Sequence, residues 1–316
     1  MSFKDYLFSL RPWSFTASII PCFIVGAVTN TPFFGLDFAR AIVMVICIQS
    51  AANLTNTYYD FVKGVDTKKN NADDTLVEGK LSKETVLYMS YFFYAIGMST
   101  VMSTSTLTQG SLQEFNLINV TSHKELAVIF ATGLILAYFY TATPVGLKYI
   151  ALGDLTIFLC FGPLLFLAVG IMFTGKIDER LYWYSVPIAL YTEAILHANN
   201  ARDIEADTNA KATTLAVLLG LDYSYIFYAL LFLCAYGSVL YITVYHHWAC
   251  IFNLAIVPMT AGLLNAYRAG QMKDLPEETA KTHMLFGITM FLGILCSRQG
   301  LQEVDWASLS GLVHQV

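Results

Sequence analysis

The chain has few charged residues and no long polar region. Charged residues make up 13% of its 316 residues, whereas hydrophobic residues make up 56% and the mean hydropathy is +0.56. Soluble globular domains carry about 25% charged residues. The scarcity of charge argues against a soluble domain of useful size. The lack of a basic stripe with interleaved aromatic residues argues against a nucleic-acid partner.

The chain also lacks the cysteine spacing of thiolate metal sites and redox sites. Its six cysteines are spread between Cys22 and Cys296, in or beside hydrophobic stretches, and none form a CxxC pair. A free cysteine in such a place behaves as a small apolar residue. The pattern therefore predicts a packing role for the cysteines and neither disulfides nor a metal site.

Long hydrophobic stretches dominate the sequence. Stretches of roughly 18–22 residues recur along its whole length, and each is long enough to cross a bilayer as a helix. They predict an all-α, polytopic membrane protein in which residues 1–316 form a single integral membrane domain. The nine predicted spans cover residues 14–34, 39–59, 86–106, 126–143, 151–173, 182–200, 223–245, 248–267 and 283–299.

The basic residues predict the orientation of these spans. Thirteen of the 18 lysines and arginines lie before the first span or in the loops that follow even-numbered spans. Cytoplasmic loops are enriched in lysine and arginine, so we expect the N-terminus and these loops in the cytoplasm. The sequon Asn119-Val-Thr121 is then expected in a luminal loop, where it could be glycosylated.

Two acidic motifs lie at the ends of hydrophobic spans. The first runs from Asn56 to Asp60, and the second runs from Asn200 through Asp203 to Asp207. In each motif two oxygen ligands are four residues apart, which places them on one side of a helical turn. A carboxylate in lipid costs about 2.5–3.5 kcal/mol on insertion scales. We therefore expect the three aspartates to face a common polar site.

Polar residues upstream of each motif extend it toward the membrane. Gln49 and Asn53 lie in line with the first motif, within roughly 60° on a helix, and Glu193 and His197 lie within roughly 120° of the second. These polar stripes predict a cavity that enters the membrane, and they argue against two solvated loops beyond the helix ends.

Oxygen-only ligands of this kind indicate Mg²⁺, which typically joins one or two carboxylates to substrate phosphates. Lys148, after the fourth span, and Arg202, inside the second motif, are cations suited to binding phosphate oxygens. Together these residues predict a diphosphate site. The predicted metal ligands are Asn56, Asp60, Asp203 and Asp207.

Spacing alone leaves other interpretations open. Lys148 also fits an ordinary basic anchor, and Tyr140 and Tyr149 also fit the aromatic belt of a membrane protein. A secondary transporter could use intramembrane acids to carry ions or protons, although motifs at one face, away from mid-membrane, favour an enzyme. A third interpretation is a lipid-sensing protein that regulates another membrane protein.

Four segments resemble the UbiA superfamily of intramembrane aromatic prenyltransferases. Within it they are most similar to the animal menaquinone-4 synthases and the 1,4-dihydroxy-2-naphthoate prenyltransferases. The resemblance extends from about residue 8 to residue 297 and is carried by long motifs. These are LRPWSFTAS at 10–18, NLTNTYYDFVKGVD at 53–66, LKYIALGD at 147–154 and TEAILHANNARDIEAD at 192–207.

The resemblance implies nine helices around a central cavity, with Mg²⁺ and an isoprenyl diphosphate at the acidic motifs. It implies diphosphate contacts from Asn56, Asn200, Arg202 and Lys148. Lys148 and Tyr140 are expected to take part in catalysis. Asp66, close to the first motif, is the carboxylate expected to take the ring proton.

The implied reaction transfers an isoprenyl group, expected to be geranylgeranyl, to a reduced naphthoquinone in menaquinone (vitamin K) biosynthesis. A precursor of the ubiquinone type is the alternative acceptor. The expected partners are the isoprenyl diphosphate, the quinol acceptor, the lipid bilayer and a regulatory membrane protein. The expected location is the endoplasmic reticulum or Golgi membrane, with a mitochondrial membrane as the alternative.

Overall fold

A computed structural model describes residues 3–67, 74–104 and 124–300. Within these ranges the chain is almost entirely helical, and its cysteines are all free thiols. A π-helical turn at Cys160–Leu164, which contains Pro163, joins the seventh and eighth α-helices. The α-helices, in chain order, are α1 (Phe3–Ser9), α2 (Thr16–Thr29), α3 (Leu36–Val62), α4 (Asp74–Val77), α5 (Lys83–Thr104), α6 (Lys124–Phe139), α7 (Gly153–Leu159), α8 (Leu165–Thr174), α9 (Arg180–Arg202), α10 (Ile204–Asn209), α11 (Leu215–Tyr245), α12 (Val257–Arg268) and α13 (Leu275–Gly300).

The helices confirm an all-α, polytopic membrane protein. Seven helical segments are long and apolar enough to cross a bilayer, and they overlap seven of the nine predicted spans. Helices α6 and α9 coincide with the other two, but neither meets the same criterion of length and hydropathy, and α6 has only 16 residues. The count of nine spans, like the single domain over 1–316, stays a prediction. The seven segments are Phe3–Thr29, Leu36–Val62, Lys83–Ser103, Gly153–Thr174, Leu215–Tyr245, Trp248–Arg268 and Leu275–Arg298.

Helix α9 lies inside the bundle, where it packs against α7, α11 and α13. Its polar residues Glu193, His197 and Asn200 are buried, and so are its tyrosines Tyr184 and Tyr191. Lipid cannot satisfy polar groups, so a helix of this composition crosses a membrane only when other helices surround it. Because α9 is surrounded by other helices, it can carry these polar residues despite lying in the membrane.

Helix α11 carries large apolar side chains on its outer surface. Leu218, Leu233 and Val244 are among its exposed residues, and they are spread from one end of the helix to the other. An apolar outer surface is what a helix presents to hydrocarbon. The outside of the bundle is therefore suited to lipid and its interior holds the polar groups.

Three connecting segments meet at one end of the bundle. The backbone N–H of Ala151 donates to the carbonyl of Thr213 over 2.7 Å, and that of Thr213 donates to the carbonyl of Tyr149 over 3.1 Å. The ammonium of Lys63 donates to the carbonyl of Thr141 over 3.2 Å. The segments that follow α3, α6 and α9 therefore share one end, as the basic-residue count predicts, and both acidic motifs lie there.

The segment between α3 and α5 packs against the bundle where the structure describes it. Leu76 and Leu81 are buried in a small apolar cluster with Leu54 and Val86. Such packing would suit a segment that covers the end of the bundle where the acidic motifs lie. Lys68 and Lys69 in the same connection, and the sequon at Asn119, lie outside the described residues.

Cysteine labelling can test the orientation. Lys211 and Lys176 are both exposed, one at the site end and one at the opposite end. In a variant with Cys234 and Cys296 replaced by serine, Lys211→Cys should react with an impermeant maleimide only from the cytoplasmic side of sealed vesicles. Lys176→Cys should react only from the other side. Reaction of both from one side would overturn the predicted topology.

Candidate active site

The first acidic motif lies at the end of the long helix α3. Gln49 and Asn53, about two turns and one turn before the motif, contact the 10–18 segment. The side-chain amide of Gln49 donates to the carbonyl of Ser14 over 2.8 Å, and that of Asn53 donates to the carbonyl of Leu10 over 2.9 Å. These two residues instead attach the 10–18 segment to α3. The expectation that the whole polar stripe enters the cavity is therefore wrong for its first half.

Asp60 is held by two residues of the segment between α6 and α7. Its Oδ2 lies 2.9 Å from the ammonium of Lys148, and its Oδ1 accepts a hydrogen bond of 2.5 Å from the hydroxyl of Tyr149. Only 8% of the Asp60 side chain and 14% of the Lys148 side chain are exposed, so this is a buried ion pair. Lys148 is therefore part of the site, and the interpretation of it as a surface anchor is wrong.

The charges around Lys148 keep it protonated. Burial alone would lower the pKa of this lysine, but the carboxylates of Asp60 and Asp207 outweigh that effect and raise it above its ordinary value. Burial and the Asp60 carboxylate raise the pKa of Tyr149 far above its usual range. Both groups therefore remain hydrogen-bond donors at neutral pH.

Asn56 and Tyr140 lie beside this ion pair. The Oδ1 of Asn56 accepts a hydrogen bond of 2.9 Å from the hydroxyl of Thr141. The carbonyl of Tyr140 accepts one of 2.8 Å from the backbone N–H of Lys148, and the tyrosine side chain is buried. The 140–149 segment thus folds back on itself and presents Lys148 to α3.

Gly146 is required for this return. Its φ of +58° is in the left-handed region, and a Cβ there would lie 2.6 Å from the Tyr149 ring and 2.8 Å from the Lys63 ammonium. The same ammonium lies 3.7 Å from the centroid of that ring, a cation–π contact. Only glycine permits this close approach.

The second motif spans the break between α9 and α10. Arg202 holds Asp203 through two hydrogen bonds, from Nε to Oδ1 over 2.8 Å and from its NH2 group to Oδ2 over 2.7 Å. The same NH2 group donates to Oδ1 of Asn199 over 2.7 Å. Asn200 is buried at the end of α9. Asp203 therefore has its own cation, as Asp60 has Lys148.

Asp207 connects the two motifs electrostatically. It is buried, and the hydroxyl of Thr214 donates to its Oδ2 over 3.4 Å. Burial raises the pKa of Asp207 to about 6, with the charges of Asp203 and Asp60 adding to the rise and Lys148 opposing it. Mutual influence at this strength places the three aspartates in one site.

Asp66 also belongs to this group. Its backbone N–H donates to the carbonyl of Asp60 over 3.3 Å, and its charge raises the pKa of both Lys148 and Tyr149. The structure therefore brings every residue of the predicted site to one end of the bundle, although the role of each stays a prediction. Those residues are Asn56, Asp60, Asp66, Tyr140, Lys148, Asn200, Arg202, Asp203 and Asp207.

Sequence reasoning missed the contact of Tyr149 and the surroundings of Asp154. Spacing leaves Tyr149 open to an aromatic-belt role, whereas its hydroxyl contacts Asp60. Asp154 was not assigned a role, yet it lies with Glu193 and His197 in a buried cluster of possible ligands. For Tyr149 the available signal was its position next to Lys148. For Asp154 the only signal was its membership of the LKYIALGD segment.

Comparison with known proteins gives a consistent family. The profile of the UbiA prenyltransferase family matches residues 18–295. The human UbiA prenyltransferase domain-containing protein 1 is 36% identical, over 94% of this chain and 85% of its own length. The proteins of that name from Xenopus tropicalis and, as a homologue, from Drosophila melanogaster are 35% and 34% identical, each over 95% of this chain, and over 85% and 81% of their own lengths.

Solved structures show the same fold at low identity. A UbiA homologue from Aeropyrum pernix aligns with a TM-score of 0.66 and 15% identity, over 89% of this chain and 97% of its own. A homologue from Archaeoglobus fulgidus, bound to GPP and Mg²⁺, aligns with a TM-score of 0.62 and 16% identity, over 92% and 99%. With the profile match and the animal relatives, these findings show that the chain belongs to the UbiA prenyltransferase family.

Proposed function

We propose that the chain transfers an isoprenyl group, geranylgeranyl, from its diphosphate to a reduced naphthoquinone, a reaction of menaquinone (vitamin K) biosynthesis. The observation that carries the proposal is the arrangement of carboxylates and cations at one end of the bundle. Asp60 is paired with Lys148, and Asp203 is paired with Arg202. The site thus contains carboxylates suited to binding a metal and cations suited to binding a diphosphate.

The donor set fits Mg²⁺. Asn56, Asp60, Asp203 and Asp207 would hold it, since all four offer oxygen atoms and Mg²⁺ prefers oxygen ligands. Bound there, Mg²⁺ would neutralise the negative charge of the leaving diphosphate. The buried acids Asp60 and Asp207 need a compensating charge in any case, and protein cations provide it in the structure. The homologue bound to GPP and Mg²⁺ supports the assignment.

Lys148 and Arg202 would bind the phosphate oxygens. Each now lies within 3 Å of a carboxylate oxygen. With those oxygens directed to bound Mg²⁺, Lys148 and Arg202 would be available to the substrate. Arginine offers a planar fork for two phosphate oxygens and lysine a compact charge. Asn200, buried at the end of α9, would complete the diphosphate contacts.

The chemistry breaks the allylic C–O bond, releases diphosphate, and lets the electron-rich ring attack the allylic carbon. The ring then loses a proton, for which we assign Asp66 because it lies beside Lys148 and Tyr149. Tyr140 packs against Gly153: a Cβ added to that glycine would lie 3.6 Å from the Tyr140 hydroxyl. In this position Tyr140 would border the reacting groups. Water must be excluded because it would capture the allylic cation left when the diphosphate departs. The apolar packing of Leu76 and Leu81 would serve this.

The choice of acceptor is tested by direct competition. We expect menadiol, a reduced naphthoquinone, to be prenylated in preference to 4-hydroxybenzoate with a C20 donor, because the 10–18 and 199–203 segments resemble naphthoquinone-type members. The measurement is product formation from each acceptor at matched donor and Mg²⁺. Unreduced menadione is the control and should give no product, since a quinone ring does not donate electrons. Preference for the benzoate would overturn the acceptor assignment and leave the prenyltransferase assignment standing.

A further inference from the structure

A second polar cluster contains none of the motif aspartates. It consists of Asp154 on α7 together with Glu193 and His197 on α9. The exposed fractions of these residues are 5%, 2% and 0%. None of the four residues assigned to Mg²⁺ belongs to it. The interior therefore holds two acids and an imidazole that the proposed prenyl transfer does not use.

The contacts of His197 determine which ring nitrogen faces the cluster. Its Nε2 lies 3.2 Å from the carbonyl oxygen of Ser224, and a carbonyl can only accept a hydrogen bond. The proton of the neutral ring is therefore on Nε2. Its Nδ1, 3.1 Å from Oδ1 of Asp154, then carries the lone pair. A histidine that binds a metal typically donates its other ring N–H to a carbonyl or carboxylate, which is the arrangement found here.

The carboxyl groups of the cluster lack donors. Among the described residues, no group donates a hydrogen bond to Oε1 or Oε2 of Glu193 or to Oδ2 of Asp154. Buried polar atoms are nearly always hydrogen-bonded, and a buried carboxylate without a partner is costly. Three such oxygens beside one another need either a shared proton or a cation.

The geometry is compatible with a cation. One ligand atom from each of the three residues lies within 4.8 Å of the other two. Ligand atoms of one tetrahedral zinc ion, each about 2.0–2.2 Å from the metal, are about 3.3–3.6 Å apart, so side-chain shifts of about 1 Å would bring the set onto one ion. Imidazole with carboxylates suits zinc, whereas an oxygen-only set suits magnesium.

We infer that Asp154, Glu193 and His197 bind one divalent transition-metal ion, best matched by Zn²⁺, at a site that shares no ligand with the diphosphate site. The ion would connect α7 to α9. Through the hydrogen bond from His197 to Ser224 it would also fix α9 against α11. Its role would be to hold these helices together beneath the diphosphate site, and its binding would not require either prenyl-transfer substrate.

The experiment measures Zn²⁺ bound to the purified full-length chain in nanodiscs. The protein is stripped with a chelator and dialysed against Zn²⁺ in excess Mg²⁺, which occupies the oxygen-only ligands. We expect one equivalent of zinc in the wild type and in Asp203→Asn, and its loss in Glu193→Gln and His197→Gln. X-ray absorption at the zinc edge should show imidazole scattering in the wild type.

Thermal unfolding supplies a second readout, which does not depend on counting bound zinc. Zn²⁺ should raise the Tm of the stripped wild type and of Asp203→Asn, and it should leave the Tm of any folded His197→Gln unchanged. Two results would overturn the inference. One is a wild type that takes up no zinc under these conditions. The other is a Glu193→Gln variant that keeps its zinc, which would place the ion on other ligands.

Discussion

Replacing Asp203 with asparagine should lower prenyl transfer by about 10²–10³-fold, the range seen when one preorganised electrostatic group is lost from an active site. The substitution preserves the size of the side chain and removes the charge that Arg202 pairs with and that the metal would use. Asp203 is partly exposed and lies at a break between helices, so little core packing is lost. The measurement is product formation from radiolabelled geranylgeranyl diphosphate and menadiol at saturating and at limiting Mg²⁺.

Asp178→Asn is the matched control. Asp178 precedes the same helix α9 at its opposite end and is likewise paired with an arginine, Arg180, over 2.6 Å. Its loss removes a comparable ion pair without touching the site, and transfer should stay within about twofold of the wild type because Asp178 lies at the far end of α9 from the site. Near-normal turnover of Asp203→Asn at limiting Mg²⁺ would show that this aspartate is not a metal ligand.

Replacing Lys148 with methionine should affect both activity and stability. It removes the proposed contact with the phosphate oxygens, so the KM for the diphosphate should rise and kcat should fall. It also removes the cation paired with the buried Asp60 carboxylate, which keeps its hydrogen bond from the Tyr149 hydroxyl. Breaking a buried ion pair by removing one partner costs about 3–5 kcal/mol, which should appear as a lower Tm.

A double variant separates the two effects. Adding Asp60→Asn to Lys148→Met removes the unpaired charge and should restore most of the lost Tm, yet transfer should fall further because both proposed roles are gone. Lys281→Met, which alters an exposed lysine paired with Glu277 and Glu278, should change neither property. An unchanged KM for the diphosphate in Lys148→Met would contradict the assigned phosphate contact.

The helices were predictable because each is a local property of the sequence. Apolar length identifies the helices that cross the bilayer, and even the polar α9 follows the predicted span at 182–200 because its apolar residues are frequent enough. Basic residues also indicated which loops share an end, and the contacts of Thr213 with Tyr149 and Ala151 agree with this. These features need no knowledge of tertiary contacts.

The partners of the polar residues were not predictable in the same way. Helical periodicity places Gln49 and Asn53 on one face with Asp60. It does not show that the 10–18 segment packs against Gln49 and Asn53. The pairing of Lys148 with Asp60 joins residues 88 apart in the chain and depends on how the segment after α6 turns at Gly146. Asp154 has no periodic relation to Glu193 or His197, so only the packing of α7 against α9 brings the three together.

The most direct test of the proposed function is release of diphosphate by the purified chain supplied with geranylgeranyl diphosphate and menadiol. With Mg²⁺, diphosphate and prenylated quinol should form in equal amounts. Both should stop when a chelator is added, recover when Mg²⁺ is restored, and be absent in Asp203→Asn. A chain that forms neither product at any Mg²⁺ concentration, or forms both unchanged in the presence of the chelator, would contradict metal-dependent prenyl transfer at this site.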